Sequence, residues 1–393
     1  MPEKPFMQLT EVTDDRLARR FLQVNIIING NDPNYIRPLD KDINDVFDKS
    51  KNKALRHSEI TRWILEDKDA KPIGRIAAFV NKRYKNRGDD MPTGGIGFFE
   101  CINNQDAADM LFDVAKHWLM QRGMEAMDGP INCGERDRWW GLLVEGFDPP
   151  PYCVNYNPPY YKELFERYGF RRFYNQLCFS LNVADNIQQK FFDRHAAVAK
   201  NPDITARHFR KKELEKYAVD FATVYNKAWA GHGGLKEIKK DMVLKMFKQM
   251  KPVIDERIMW YVYDKNEPIA IWINLPDLNQ WFKYLNGKFN LFAKLKFLWV
   301  KQTKRCNKFT GLVFGIVPEW QGKGIDAYII VEGGSKVIQE KKLYDYYEMQ
   351  WIGEFNPKMV NIASSLGTYR SRTLVTYRYI FDRMKEFKEH PIF

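Results

Sequence analysis

The order of apolar runs in the first half of this chain recurs in the second. Residues 72–80 open a hairpin candidate, residues 95–101 supply a further apolar run, and a helix is predicted over 106–122 with Ala107, Met110, Leu111, Val114 and Trp118 on one face. Gly123 stops that helix, and a strand (124–132), a short helix (158–168), Gly169 and a closing strand (170–181) follow. In the second half, residues 259–274 alternate like a hairpin, 310–317 are β-rich, and a glycine turn opens a helix over 325–341. A strand (344–351), a short helix (357–366), Gly367 and a strand (373–381) complete the second unit. Strands alternating with single helices imply an α/β fold, an α+β mixed sheet in each half. The expected domains are 1–183 and 203–393, joined by the polar stretch 184–202.

A chain of 393 residues accommodates two such units. At 45% hydrophobic and 15% aromatic it is neither a disordered chain nor a coiled coil. The five cysteines form no CxxC pair and the six histidines no metal-ligand spacing, so no metal and a reducing compartment are expected. The N-terminus lacks the basic and apolar regions of a signal peptide, and no apolar run reaches the ~18–20 residues that span a bilayer. A cytoplasmic location follows as the expectation. The net charge of +12 favours anionic partners: phosphates, nucleic acid or lipid.

Residues 317–326 (Val-Pro-Glu-Trp-Gln-Gly-Lys-Gly-Ile-Asp) lie between a predicted strand and a predicted helix. Glycines there let the backbone turn sharply and aim N–H groups outward at the positive end of a helix dipole, which makes an anion cradle. The spacing matches neither the P-loop nor the dinucleotide-binding fingerprint.

Gln321-Gly-Lys-Gly-Ile-Asp resembles the pyrophosphate loop of the GNAT superfamily of acyl-CoA-dependent N-acyltransferases, and Leu312-Val-Phe-Gly-Ile-Val-Pro precedes it as the corresponding strand does there. Leu164-Phe-Glu-Arg-Tyr-Gly-Phe is similar to the close of GNAT domains. Gly129-Pro-Ile-Asn, Gly141-Leu-Leu-Val-Glu-Gly-Phe-Asp and Tyr156-Asn-Pro-Pro-Tyr-Tyr resemble a bacterial group of tandem GNAT-like proteins. The resemblance implies two GNAT-like domains in tandem, with acetyl-CoA or a longer acyl-CoA as donor in the second. The first is then a degenerate copy that shapes the acceptor site. It implies backbone oxyanion donors at Gly315, Ile316 and Val317. It also implies a pyrophosphate cradle at Gln321, Gly322, Lys323, Gly324, Ile325 and Asp326.

Three departures stand out. Asp326 occupies a place usually held by Gly or Ala, where a carboxylate repels pyrophosphate unless it turns away or Lys323 offsets it. Ala363 and Phe165 occupy the places of the tyrosine that protonates the departing thiolate. The first half has Cys101-Ile-Asn-Asn-Gln-Asp-Ala where a glycine turn would stand.

Acid–base candidates are sparse. Glu348 shares a strand face with Tyr346 and Gln350, and a carboxylate among aromatics is either a base of raised pKa or an ion-paired structural glutamate. Tyr369 is a candidate acid, against a plain surface role beside Gly367. Asn356 follows the strand end, where α/β sites form. The loop bearing Glu135, Arg136, Arg138, Trp139 and Trp140 either lines a substrate pocket or plugs its own sheet. His117 reads as structural or exposed.

Between Asp277 and Glu319 there is no acidic residue but eight basic ones, against a chain total of +12. Within the insert 281–305, Leu291, Phe292, Leu295, Leu298 and Trp299 fall on one helix face at about 100° per residue. Such an insert is a packed helix with solvated lysines, a cover over a long acyl chain, or an interfacial helix at the inner membrane face. Single-stranded nucleic acid would suit the same stripe, but no nucleic-acid motif accompanies it and that partner is not expected. The expected function is acyl-CoA-dependent N-acyl transfer to a small-molecule or lipid amine. The alternatives are an inactive GNAT-like binding protein and an aminoacyl-tRNA-dependent transferase. An Asp326 carboxylate bonded across the open N–H groups would mark the binding protein; one turned away, the enzyme.

Overall fold

The computed structural model describes residues 6–86, 88–229 and 237–392. Its strands, in chain order, are β1 (Met7–Glu11), β2 (Ser58–Asp67), β3 (Pro72–Asn81), β4 (Thr93–Cys101), β5 (Ala126–Gly129), β6 (Leu142–Glu145), β7 (Arg171–Asn182), β8 (Ile204–His208), β9 (Trp260–Asp264), β10 (Glu267–Pro276), β11 (Lys308–Ile316), β12 (Tyr346–Met349), β13 (Ile352–Gly353) and β14 (Tyr369–Ile380). All belong to one mixed sheet in the order β1-β2-β3-β4-β5-β14-β7-β12-β11-β10-β9-β8, with β6 beside β14 and β13 beside β7. Two pairs are parallel, β4 with β5 and β11 with β12, and a helical crossover joins each.

The two halves trade closing strands. β14 is the last strand in chain order yet lies between β5 and β7, with Tyr377 opposite Gly129 on one side and Arg172 on the other. β7 in turn pairs with β12, Tyr347 opposite Leu181. The cores record the trade. Val375 and Tyr377 from β14 pack with Leu65, Phe112 and Phe165 of the first half. Leu181 and Val183 pack into the second-half core of Phe221, Val262, Ile271 and Phe309.

The helix predicted over 106–122 is Gln105–Met120. It buries Ala107, Ala108, Leu111, Phe112, Ala115 and Leu119, a face rotated from the expected one, while Met110, Val114 and Trp118 are only partly covered. Phe112 decides the rotation: it stacks on Phe99 at 4.7 Å and meets Phe165 and Phe170 edge-on at 4.9 and 5.0 Å. No helix among the described residues is long and apolar enough to cross a membrane. All five cysteines are free and buried.

Candidate functional site

β11 and β12 run side by side from Lys308 opposite Tyr346 to Gly311 opposite Met349, and the last link is Gln350 N–H to Gly311 O at 3.0 Å. There they part. The chain after β12 turns into β13, which pairs with β7, while β11 continues to Ile316 along β10. Between them opens a cleft of ≈ 740 Å³ with walls that include Trp272, Leu312, Phe314, Met349, Trp351 and Phe355.

A β-bulge sets which backbone groups face this cleft. Pairing with β10 steps from Ile273 opposite Val313 to Asn274 opposite Gly311, so Leu312 is the extra residue. Beyond it Val317 N–H bonds Ile269 O at 3.0 Å. Strand alternation therefore points the N–H groups of Phe314 and Ile316 away from β10, along the edge that β12 leaves free, and Phe314 lines the cleft. Of the three predicted oxyanion positions, Ile316 turns its N–H off the sheet along the free edge, whereas the N–H groups of Gly315, opposite Ile271, and of Val317 point at β10.

The glycine turn closes one end. Gly322 and Gly324 have φ of 75° and 85°, the left-handed region that favours glycine. Gln321 donates its Nε2 to Ile316 O at 3.1 Å, tying the turn to the strand end. Gly324 precedes a helix that runs over 325–339, α-helical at first and π-wound from Ile330, and no side chain caps its start. The first-turn N–H groups consequently stay open to an anion. Lys323 folds over Trp320, 5.1 Å from the ring centre.

Asp326 does not bond across those N–H groups. Its Oδ1 accepts from Arg194 Nη2 at 2.6 Å, and both residues line the cleft. Arg194 comes from the helix Gln189–Val198, which lies over the turn so closely that a Cβ on Gly324 would stand 3.0 Å from Val198 Cγ2. The stretch read as a junction thus carries a cation of the site. Only the unusual carboxylate at position 326 announced that a partner was needed; nothing local said which of the 62 basic residues it is.

The corresponding place in the first half is closed. Asn104 caps its helix there, Oδ1 accepting from Ala107 N–H at 2.9 Å. Ile131 N–H bonds Ile96 O at 2.7 Å, holding the chain after β5 against β4 where its counterpart diverges. Residues including Tyr35, Ile43, Tyr152 and Cys153 fill the space, leaving ≈ 60 Å³. Glu100, buried beneath, accepts from Tyr161 Oη at 2.8 Å, Asn29 Nδ2 at 3.0 Å and Arg75 Nη2 at 3.3 Å. Burial pushes its pKa up, with Arg75 opposing.

The other predicted residues are dispersed. Glu348 is buried, its Oε1 accepting from Arg372 Nε at 2.7 Å and its Oε2 from Lys308 Nζ at 3.0 Å. Tyr369 is 52% exposed at the start of β14, outside the cleft walls. Asn356 lines the cleft and caps the helix Pro357–Ser365, and Ala363 sits in the same wall. Trp139 and Trp140 are buried in the first half, Trp140 Nε1 donating to Tyr174 Oη at 2.9 Å. Arg138 pairs with Glu135 at 3.2 Å, and Arg136 bonds Asn86 Oδ1 at 3.2 Å. None of these five loop residues lines the cleft; at its rim Arg136 O accepts from Trp351 Nε1 at 3.1 Å, and Trp351 packs against the cluster that holds Trp139 and Trp140.

Sequence reasoning passed over Gln350 and Tyr347 as cleft residues. Gln350 lines the cleft, and its Oε1 is buried without a hydrogen-bond partner. Tyr347 lies at the base, Trp272 Nε1 donating to its Oη at 3.2 Å, and burial pushes its phenol up to about 12. The insert does not cover the cleft. Its helix, Leu291–Thr303, enters β11 at Lys308, the end opposite the glycine turn, and no residue of 281–305 is in the walls. Neighbours in sequence, the two are separated by the nine residues of β11.

No protein-family model matches the chain. Over 364 residues it is 23% identical to the bacterial ceramide synthase of Caulobacter vibrioides, covering 91% of this chain and 94% of that protein. Over 381 residues it is 25% identical to protein YghO of Escherichia coli, covering 92% and 95% respectively. Among solved structures it superposes on a tandem GNAT protein from the clavulanic acid biosynthesis pathway with a TM-score of 0.53 at 10% identity, covering 97% of this chain and all of the other. It also superposes on the glucosamine N-acetyltransferase region of a fungal multi-domain β-N-acetylglucosaminidase, with a TM-score of 0.54 at 12% identity, over 96% of this chain and 38% of that one. Its fold is that of the tandem GNAT proteins, with the strand divergence open in the second half and filled in the first.

Proposed function

We propose that this chain is an acyl-CoA-dependent N-acyltransferase that joins a fatty acyl group to the amine of a long-chain lipid base. The observation that carries the reading is the open divergence of β11 and β12, with two backbone N–H groups on the freed edge of β11 beside an apolar cleft and an uncapped helix start at its end. A CoA thioester would lay its pyrophosphate on the turn at 322–327 and its pantetheine along the free edge of β11. The acceptor nitrogen attacks the thioester carbonyl, the N–H of Phe314 or Ile316 stabilises the oxyanion, and the C–S bond breaks as the amide forms. The acceptor attacks as the neutral amine; its nitrogen, cationic once bonded to the carbonyl carbon, gives up a proton that leaves with the thiolate as the free thiol. Gln350 Oε1, lacking a donor, suits an incoming N–H. Glu348, bonded to Arg372 and Lys308, and Tyr369, outside the cleft walls, are given no proton transfer in this step.

The lipid nature of the substrates rests on two further points. The cleft walls are mainly apolar, and a smaller apolar cavity of ≈ 90 Å³ continues from them past Phe191, Trp272, Ile330, Tyr347 and Leu366 beneath the helix over 325–339. A ceramide is a fatty amide of a long-chain amino alcohol, and the relative of that name aligns over nearly the whole chain. The donor would be acetyl-CoA or, better suited to this cavity, a longer acyl-CoA, used in a cytoplasmic setting where the five unpaired cysteines remain reduced.

The test is turnover of palmitoyl-CoA with a long-chain 2-amino alcohol. Thiol release is read with a thiol reagent, to which the buried cysteines are poorly accessible, and the amide by mass spectrometry. Arg194→Glu leaves two carboxylates at the turn and should weaken acyl-CoA binding roughly tenfold or more in calorimetry. If neither acetyl-CoA nor palmitoyl-CoA binds the unmodified protein, the acyl-CoA mechanism fails, and tight salt-sensitive tRNA binding would replace it.

A further inference from the structure

The helix Leu291–Thr303 turns its small side inward and its greasy side out. Ala293, Phe297 and Val300 are buried, Phe297 packing on Trp281 and Phe282 at 6.1 and 5.6 Å. Leu291, Phe292, Leu295, Leu298 and Trp299 are 69%, 79%, 58%, 50% and 59% exposed. At about 100° per residue these five occupy about 120° of arc, centred opposite the buried face. Lys294 and Lys301 lie along one border of that arc and Lys296 along the other. Five large apolar side chains side by side on the outside of a protein mark a contact surface.

The charge around the patch names the partner. No acidic residue occurs between Asp277 and Glu319. Arg305 is paired with Asp345 at 2.8 Å and Lys308 with Glu348 at 3.0 Å. Among the described residues, no carboxylate lies within ion-pair distance of Lys283, Lys288, Lys294, Lys296 or Lys304. An apolar crown bordered by lysines of one sign fits the boundary between acyl chains and anionic headgroups: the crown enters the hydrocarbon while the lysine stems reach back to the phosphates. A protein partner or a second copy of this chain, itself basic here, would need acidic groups to match, and this surface offers none to its own copy.

We propose that the helix Leu291–Thr303 seats this protein on the surface of an anionic bilayer, with Phe292 and Trp299 inserted and Lys283, Lys288, Lys294 and Lys296 at the phosphates. The surface lies at the far end of β11 from the glycine turn, so docking leaves the turn free to water. The proposal stands whether or not the cleft catalyses acyl transfer.

The test is flotation of the full chain with vesicles of phosphatidylcholine alone or mixed with phosphatidylglycerol. Binding should be at least tenfold stronger with the anionic lipid and should fall at least tenfold in about 0.5 M salt, where the Debye length is a few ångströms. Phe292→Ser with Trp299→Ser should abolish binding without changing the melting temperature, because both side chains are exposed. Lys294→Gln with Lys296→Gln should weaken it while leaving residual insertion. Brominated lipid should quench part of the tryptophan fluorescence, and Trp299→Phe, which still binds, should lose that part. Equal binding by the parent and the double serine variant would overturn the proposal. So would self-association of the parent, without vesicles, that the serine variant abolishes.

Discussion

Glu348 holds two cations at the middle of the sheet. The guanidinium of Arg372 crosses from β14 to reach it, and its remaining nitrogens donate to the carbonyls of Gly146, Asp148 and Pro149, each at 2.9 Å. One buried carboxylate thereby links β12, β14, β11 and a first-half loop. Glu348→Gln would leave Arg372 and Lys308 without their anion, and a loss of about 3–5 kcal/mol in unfolding free energy is expected, read by denaturant titration. Turnover per folded molecule should persist; loss of turnover at unchanged stability would instead make Glu348 the base. Nearby, Asp277 is buried and accepts from the N–H groups of Asn279 at 3.2 Å and Tyr152 at 3.3 Å. Burial, against the pull of Lys308, pushes its carboxyl up to about 6. A folded value above the unfolded one means that the protonated form is favoured in the native state. Its stabilising share is therefore complete below about 4 and lost as pH rises through about 6. In a Tm series from pH 4 to 7, Asp277→Asn should lack that decline and should melt higher than the parent at pH 7. Strand alternation showed Glu348 sharing a face with Tyr346 and Gln350, but the partner Arg372 stands 24 residues away on a strand whose neighbours no local pattern reveals.

The bulge at Leu312 turns an ordinary strand into one with a free edge. Ile316→Pro removes an N–H of the free edge while sparing the bonds to β10, as proline on an open edge does. A fall of about 10²–10³ in kcat is expected with acyl-CoA affinity changed far less, and single-turnover kinetics would separate the two. An equal loss in affinity and none in kcat would assign that N–H to binding the donor instead. The glycine turn and the strand before it were readable because left-handed glycines and β-rich runs are local signals. The bulge was not, since it exists only relative to β10. Helix Leu291–Thr303 shows a further boundary of sequence reading. Its apolar face was evident, yet Ala293, Phe297 and Val300 form a second, narrower apolar face, and that one fits against Trp281 and Phe282. Periodicity identifies faces; only the shape of the neighbour selects the one that is buried.

With closing strands exchanged, neither half of the chain carries a complete sheet. A fragment 1–202 lacks β14, which fills the gap between β5 and β7, and a fragment 203–393 lacks β7 beside β12. Each alone should show no cooperative unfolding transition by circular dichroism, and mixing the two should restore one along with a single peak in size exclusion. Two separately cooperative fragments would contradict the pairing. The repeat was visible in the order of runs because each half obeys the same α/β logic. The exchange was invisible, because either pairing satisfies the alternation of β7 and β14 equally well. Two identical chains that swapped their last strands would form a symmetric dimer, in which any change to one cleft appears in both. Written as one chain, the same architecture frees the copies from each other: one can be stopped with side chains while the other stays open, and every molecule carries one of each.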